Sequence, residues 1–238
     1  MRGVLDKTLM KLSIITPTYN EAANIESLAS KISTAIPDID YELIVVDDDS
    51  PDKTWKIAQD LSKKYPIHVL RRKNKKGLSS AVLDGFKKAH GNLLCVIDAD
   101  LSHPPEIIPD MIKILQRDKS DIVVASRYSG GGTKDWPLKR KIFSRFATIL
   151  ARPITSVKDP MSGFFIVRKH VIQNSNLVPR GYKILLEILA KCDYDKVSEY
   201  PFVFKDRAGG KSKLNLKISL EYVAQCLSLY AHKMRGFK

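Results

Sequence analysis

Between residues 11 and 128, short apolar runs alternate with longer segments whose apolar residues recur every three or four positions. "KLSIITPTYNE" reads as a buried strand ending at Pro17, and "EAANIESLASKISTAI" as a helix with Asn20 as its N-cap. "YELIVVDDDSPD", "IHVLRR", "NLLCVIDAD" and "SDIVVASRY" have the composition of further buried strands. Between them, "DKTWKIAQDLSKKY", "GLSSAVLDGFKKAH" and the proline-opened "PPEIIPDMIKILQR" carry helical spacing. Strict alternation of this kind predicts right-handed βαβ units: an α/β fold with a mainly parallel central sheet and helices on both faces.

After residue 130 the alternation stops. "SGGGTKD" reads as a loop, "WPLKRKIFSRFATILARPI" as a basic amphipathic helix and "DPMSGFFIVRKHVI" as a strand or hairpin. "YKILLEILAKC" is a helix, "YPFVFKDRAGGKSKLN" a strand entering a basic glycine-containing loop, and "LKISLEYVAQCLSLYAHKM" a last helix. Neither a repeat nor a second core stands out, so the second half is expected to complete a site begun by the first.

In open parallel sheets the ligand lies beyond the carboxyl ends of the strands. There the chain carries Tyr19 and Glu21, Asp47, Asp48 and Asp49, Asp98 and Asp100, and Arg127. In "VIDADLSHPPE", residues 96–106, alternate residues of an extended chain point the same way, so Asp98 and Asp100 can face one volume. Hard divalent cations such as Mg²⁺ or Mn²⁺ take oxygen ligands, often one or two carboxylates plus substrate phosphates. An isolated DxD fits a solvated turn capping the next helix equally well; the second acidic strand end, "VVDDDSP", favours the metal. Neither a dinucleotide fingerprint nor a phosphate-binding P-loop follows the first strand.

The formal charge of +14 suits a polyanion: phosphate-bearing substrates, an anionic membrane surface or nucleic acid. Nucleic acid ranks last, because no recognition helix, zinc finger or RNA-binding aromatic signature is visible. Cys95, Cys192 and Cys226 are far apart among apolar neighbours and read as buried thiols of a reducing compartment. No apolar run approaches the roughly 18–20 residues of a membrane span. The opening "MRGVLDKTLMKL" lacks the apolar core of a signal peptide, so a cytoplasmic chain is expected.

In this order, "PTYNE", "VVDDDSPD", "KGLSSAVLDGF" and "DADLSHPPE" resemble the nucleotide-sugar half of family 2 glycosyltransferases. With "SRY", "WPLKRKIFS", "DPMSGFF" and "RAGGKSKL" the likeness covers nearly the whole chain and extends to the dolichol-phosphate (polyprenyl-phosphate) mannose synthases of that family. The resemblance implies a single GT-A type, Rossmann-like domain. Its nucleotide-sugar half would span about 11–128, and its acceptor half about 129–238 with a C-terminal amphipathic helix. It implies that Pro17, Tyr19, Glu21, Val46 and Asp48 cradle guanosine, and that Asp98 and Asp100 sit at Mg²⁺ or Mn²⁺ and the diphosphate. Ser102, where many relatives carry glutamine, is expected at the metal too.

The same resemblance assigns Arg127, Arg140, Ser144 and Arg207 to the acceptor's phosphate, joined by Lys213 from the "DRAGGKSK" loop, with Asp100, Arg127 and Arg207 catalytic. Arg140 and Ser144, four apart on a helix, share a face. His103 is expected to be a structural hydrogen-bonder, and Glu187 and Asp159 candidate orienters of the basic groups. The implied reaction moves mannose from GDP-mannose to dolichyl or polyprenyl phosphate with inversion. A phosphate acceptor is already anionic, so no general base is expected. The last helix either packs on the sheet or lies in a membrane interface, which would hold the chain peripherally on the cytoplasmic face, alone or through a membrane-embedded partner protein. The rival readings are transfer of glucose from UDP-glucose to the same lipid and a non-catalytic basic membrane-binding module.

Overall fold

The computed structural model describes residues 10–130, 138–173, 175–178, 183–203 and 216–236, with the backbone alone for 138–144, 216–221 and 235–236. The first half follows the predicted alternation: β1 (Lys11–Thr18), α1 (Ile25–Ala35), β2 (Asp40–Asp47), α2 (Thr54–Leu61), β3 (Ile67–Arg71), α3 (Leu78–Lys88), β4 (Leu93–Val96), α4 (Ile108–Arg117) and β5 (Ile122–Ser126). A single 3-10 turn at Pro105–Ile107 leads into α4, with prolines where no helical N–H is required. The second half supplies α5 (Leu138–Ala151), β6 (Phe165–Arg168), α6 (Lys169–Gln173), α7 (Ile184–Lys191), β7 (Val197–Pro201) and α8 (Leu216–Gly236).

The sheet has seven strands in the order β3-β2-β1-β4-β6-β5-β7. β6 is antiparallel to both β4 and β5, while the other neighbouring pairs are parallel. The carboxyl ends of β1, β2, β4 and β5 therefore share one edge. Both faces are covered, which is why these strands read as unbroken apolar runs. On one face Ile25, Leu28, Ile32, Ala58, Met111 and Leu115 pack over Leu12, Ile14, Leu43, Val45 and Cys95. On the other, α3 and α7 cover Ile15, Ile44, Val46, Leu94, Val96 and Phe165.

Several expectations are corrected. β1 runs one residue past Pro17, and α1 begins only at Ile25 with Asn24 at its N-cap position. Asn20 instead adopts φ 60° in the connecting turn. Of the strand or hairpin expected around Phe165 the strand forms; a short helix follows it, and the strand inserts between β4 and β5. The last strand starts at Val197, three residues before the predicted segment, and ends at Pro201. α8 packs on neither bare sheet nor solvent alone. Its Tyr222, Cys226 and Leu229 join Ala147 and Ala151 of α5 and Leu186 of α7 in a third core cluster. All three cysteines are buried and free.

At the amino end of the sheet, far along the strands from the acidic edge, Glu42 is buried beside its cross-strand neighbour Ser13. It accepts hydrogen bonds from the Ser13 hydroxyl (2.6 Å) and the His90 amide (2.7 Å), and its other oxygen lies 3.1 Å from His90 Nδ1. Burial alone would raise the carboxyl pKa. The hydrogen bonds from Ser13 and His90 outweigh it and hold Glu42 down at about 2, against an ordinary 4.5. A carboxyl depressed by folding stabilises above its unfolded pKa and loses that contribution as pH falls. Glu42 is expected to supply about 2–3 kcal/mol that is complete above roughly pH 4.5 and fades toward pH 2. Urea unfolding should find Glu42→Gln less stable than the natural chain at pH 7, with the gap closing in that window.

Candidate active site

The carboxyl edge is built from turns that leave three strands in strained backbone. Asn20 after β1, Asp49 after β2 and Leu101 after β4 have φ of 60°, 56° and 61°. A left-handed non-glycine residue costs about 1–3 kcal/mol, and such strain concentrates where a site is held in shape. Parallel pairing sets Pro17 beside Val46 and Thr18 beside Asp47, and the Asp48 amide donates to the Thr18 carbonyl.

The three aspartates after β2 do different work. Asp47 is fully buried and accepts from the hydroxyls of Thr18 (2.8 Å) and Ser50 (2.6 Å) and from the Ser50 amide, closing the turn. Asp49 pairs with Arg71, whose guanidinium lies 3.8 Å from the centre of the Trp55 ring. Asp48 is gripped by Arg72 and by the amide of Gly77, which needs glycine because its φ is 128°. Tyr19 is 40% exposed, with the Lys76 ammonium 5.2 Å from its ring centre. Glu21 accepts from Asn24 (2.7 Å), and its amide donates to Thr54 (2.9 Å). Val46 is fully buried against the α3 side, so only its main chain can meet a ligand.

β4 stops at Val96, Ile97 and Asp98 carry no regular structure, and a turn begins at Ala99 and holds Asp100. The Ser102 amide donates to Asp100 Oδ1 (3.1 Å), closing that turn around Leu101. Both carboxylates act electrostatically on the buried His103 ring. Burial pushes the His103 pKa below its ordinary value against their pull, so the ring is neutral. His103 Nδ1 accepts the Asp98 amide (3.3 Å), and the ring packs against Phe164 and Phe202. His103 is thus a structural support, as its sequence context implied. Asp98 keeps 29% of its side chain exposed.

Arg127 follows β5 at the same edge, close enough to feel the Asp98 charge. Its Nε (2.7 Å) and Nη2 (2.6 Å) donate to the two oxygens of Asp159, and its own amide donates to the same carboxylate (3.0 Å). Asp159 is fully buried, and Glu199 on β7 accepts its amide (3.2 Å) and that of Lys158 (3.1 Å). Burial disfavours the Arg127 charge, and Asp159 more than offsets it. The Asp159 role left open by the sequence is therefore that of anchor to Arg127, whereas Glu187 pairs with Lys191 (2.7 Å). Arg140 and Ser144 lie on α5, with side chains outside the described residues; Arg207 and Lys213 lie outside them altogether.

Two features show that the Asp98–Asp100 turn fits a cation. The Ser102 hydroxyl oxygen is buried with no hydrogen-bond partner. Gly163 leaves the space beside Asp98 open, since a Cβ there would lie 3.0 Å from Asp98 Oδ2. Among the described residues no group of three or more acids, histidines or cysteines gathers to hold a metal. A divalent ion would draw on two carboxylates and a hydroxyl and need ligand oxygens besides.

Residues 13–175 match the model of glycosyl transferase family 2. The chain belongs to that family. Among similar proteins of this family is the dolichol-phosphate mannosyltransferase of Pyrococcus furiosus, 52% identical over 219 residues. That alignment covers 90% of this chain but 62% of the relative, so the chain spans less than two thirds of that protein. The Saccharomyces cerevisiae dolichol-phosphate mannosyltransferase is 38% identical, over 94% of this chain and 88% of its own. The fold is shared with Mycobacterium tuberculosis glucosyl-3-phosphoglycerate synthase, solved with Mn²⁺, UDP-glucose and glycerol 3-phosphate. The TM-score is 0.68 at 19% identity, over 94% of this chain and 80% of that one.

Two features of this edge escaped the sequence. Arg72 was hidden in the basic run "RRKNKK", and Gly163 in "MSGFF" carried no signal beyond its lack of a side chain. Gly163→Ala should force Asp98 to shift by a few tenths of an ångström. We expect Mn²⁺ affinity in the presence of GDP to fall about tenfold, the scale of one disturbed interaction with a charged group, with the melting temperature nearly unchanged.

Proposed function

We propose that the chain is a metal-dependent inverting glycosyltransferase that moves mannose from GDP-mannose to dolichyl or polyprenyl phosphate, releasing GDP. The observation that carries this reading is the 52% identity over 219 residues to a dolichol-phosphate mannosyltransferase. The composition of the edge supports it: the Asp98 and Asp100 carboxylates and the anchored Arg127 all follow strands that end there.

In this reading Pro17, Tyr19, Glu21 and Asp48, with the Val46 main chain, hold the guanosine. Asp98, Asp100 and Ser102 hold Mg²⁺ or Mn²⁺ together with the donor's diphosphate. The ion, when bound, neutralises charge on the leaving diphosphate. Arg127, with Arg140, Ser144, Arg207 and Lys213, takes the acceptor phosphate. Asp159 fixes the Arg127 fork in place beforehand, so no ordering is required as the substrates meet. A phosphate monoester attacks as an anion and hands no proton to the protein. The neutral, buried His103 therefore supports Asp98 rather than serving as base. Orientation and charge neutralisation do the work.

The lipid acceptor fits the surface of α5 and α8. Phe146 and Ile149 of α5 and Val223, Leu227 and Met234 of α8 are exposed. Exposed apolar residues among cations suit the interface of an anionic membrane. No helix of the described residues is long and apolar enough to cross one. Our reading has the chain attached peripherally, on the cytoplasmic face, alone or through a membrane-embedded partner.

Incubation with labelled GDP-mannose, a short polyprenyl phosphate and Mg²⁺ or Mn²⁺ should carry the label into organic solvent. Asp100→Ala should lower that transfer at least about 100-fold with the fold retained, the scale of a lost transition-state charge contact. Label remaining in water, or transfer from UDP-glucose instead, would sink the mannose assignment.

A further inference from the structure

Arg72 is almost wholly buried, with 4% of its side chain exposed, and every donor on its guanidinium is engaged by the protein. Nε (2.7 Å) and Nη2 both donate to Asp48 Oδ1. Nη1 donates to Ser80 (2.9 Å) and Asp84 (3.0 Å) on α3, and Nη2 also to the Gly77 carbonyl (3.0 Å). Asp84 is held in turn by Lys75 (2.7 and 2.9 Å). The Gly77 amide completes the arrangement by donating to Asp48 Oδ2 (2.8 Å).

A carboxylate oxygen accepts two hydrogen bonds well. Oδ1 of Asp48 has both filled, and Oδ2 has one. A single acceptor position remains, on Oδ2, and the side chain is 11% exposed, enough to be touched from the site. A guanine read by both oxygens of a carboxylate, through its N1–H and 2-amino group together, would need Oδ1 as well. That oxygen is taken.

We propose that Arg72 is a positioning residue that leaves Asp48 able to accept only one further hydrogen bond, so that the donor's base is read through a single imino N–H. This rests on Asp48 contacting the base in the proposed function. The class of ligand follows. Guanine, hypoxanthine and uracil present a ring N–H there and are accepted. In the same pose adenine and cytosine turn a ring nitrogen lone pair toward the carboxylate, lose this hydrogen bond and bind more weakly. The guanine 2-amino group is not read by Asp48.

Isothermal titration of the full chain with GDP, IDP and ADP, each with Mg²⁺, tests this. IDP should bind within about threefold of GDP, and ADP about 10- to 100-fold more weakly, the scale of one hydrogen bond to a charged group. Arg72→Lys keeps the charge but has three donors on a point, not a fork that spans Asp48, Ser80, Asp84 and Gly77. It should weaken GDP about tenfold and shrink the GDP-over-ADP preference, which a merely stabilising arginine would leave alone. The proposal is overturned if IDP binds about 100-fold more weakly than GDP, or if Arg72→Lys folds and keeps the full base preference. Should Arg72→Lys not fold, the IDP-to-GDP ratio of the natural chain decides. Asp48→Ala separates the layers: a base preference that survives it means that Asp48 does not touch the base, and the site assignment itself fails.

Discussion

Carboxylates delivered to one edge of a sheet repel each other unless each is neutralised, and the way this chain neutralises them shapes its site. Asp47 is satisfied by hydroxyls and an amide, Asp49 by Arg71, Asp48 by Arg72, and Asp159 by Arg127. Asp98 is treated differently. It faces a histidine that burial keeps neutral, and it remains partly exposed. Charge is therefore matched around the site and kept in reserve at its centre. A buried ion pair such as Arg127–Asp159 contributes little net stability, since desolvation offsets much of the attraction. Its use here is geometric: it fixes a cation where a second anionic substrate would arrive.

The pairings also explain how the two halves of the chain form one unit. β6, from the second half, runs between β4 and β5, and the segment before it brings Asp159 to Arg127 and Gly163 to Asp98. Phe164, just before β6, and Phe202, just after β7, close on His103. Cutting the chain near residue 128 would leave the acidic turn without its support.

Much of this was legible in the sequence, and the failures have physical causes. Unbroken apolar runs such as "LIVV" and "LLCV" marked strands covered on both faces, and their acidic ends marked the edge. The place of β6 was not legible, because strand order depends on pairing partners and periodicity reports only burial. The turn that follows the two aspartates was not legible: β4 ends at Val96, and the left-handed Leu101 bends the chain only after Asp100. Arg72 was invisible because a lysine-rich run reads as solvated, whereas one arginine within it is buried among acceptors. The exposed apolar face of α5 and α8 showed in the sequence only as two amphipathic candidates. Packing decided which of their residues turned inward.

The central claim is that the acidic turn is an incomplete cation site that a nucleoside diphosphate completes. Electron paramagnetic resonance of Mn²⁺ titrated into the full chain, with and without GDP, tests it most directly. The account predicts weak binding of Mn²⁺ alone and binding at least about tenfold tighter with GDP present, as expected when substrate oxygens supply the missing ligands. Equally tight binding in both titrations, or none in either, would contradict it.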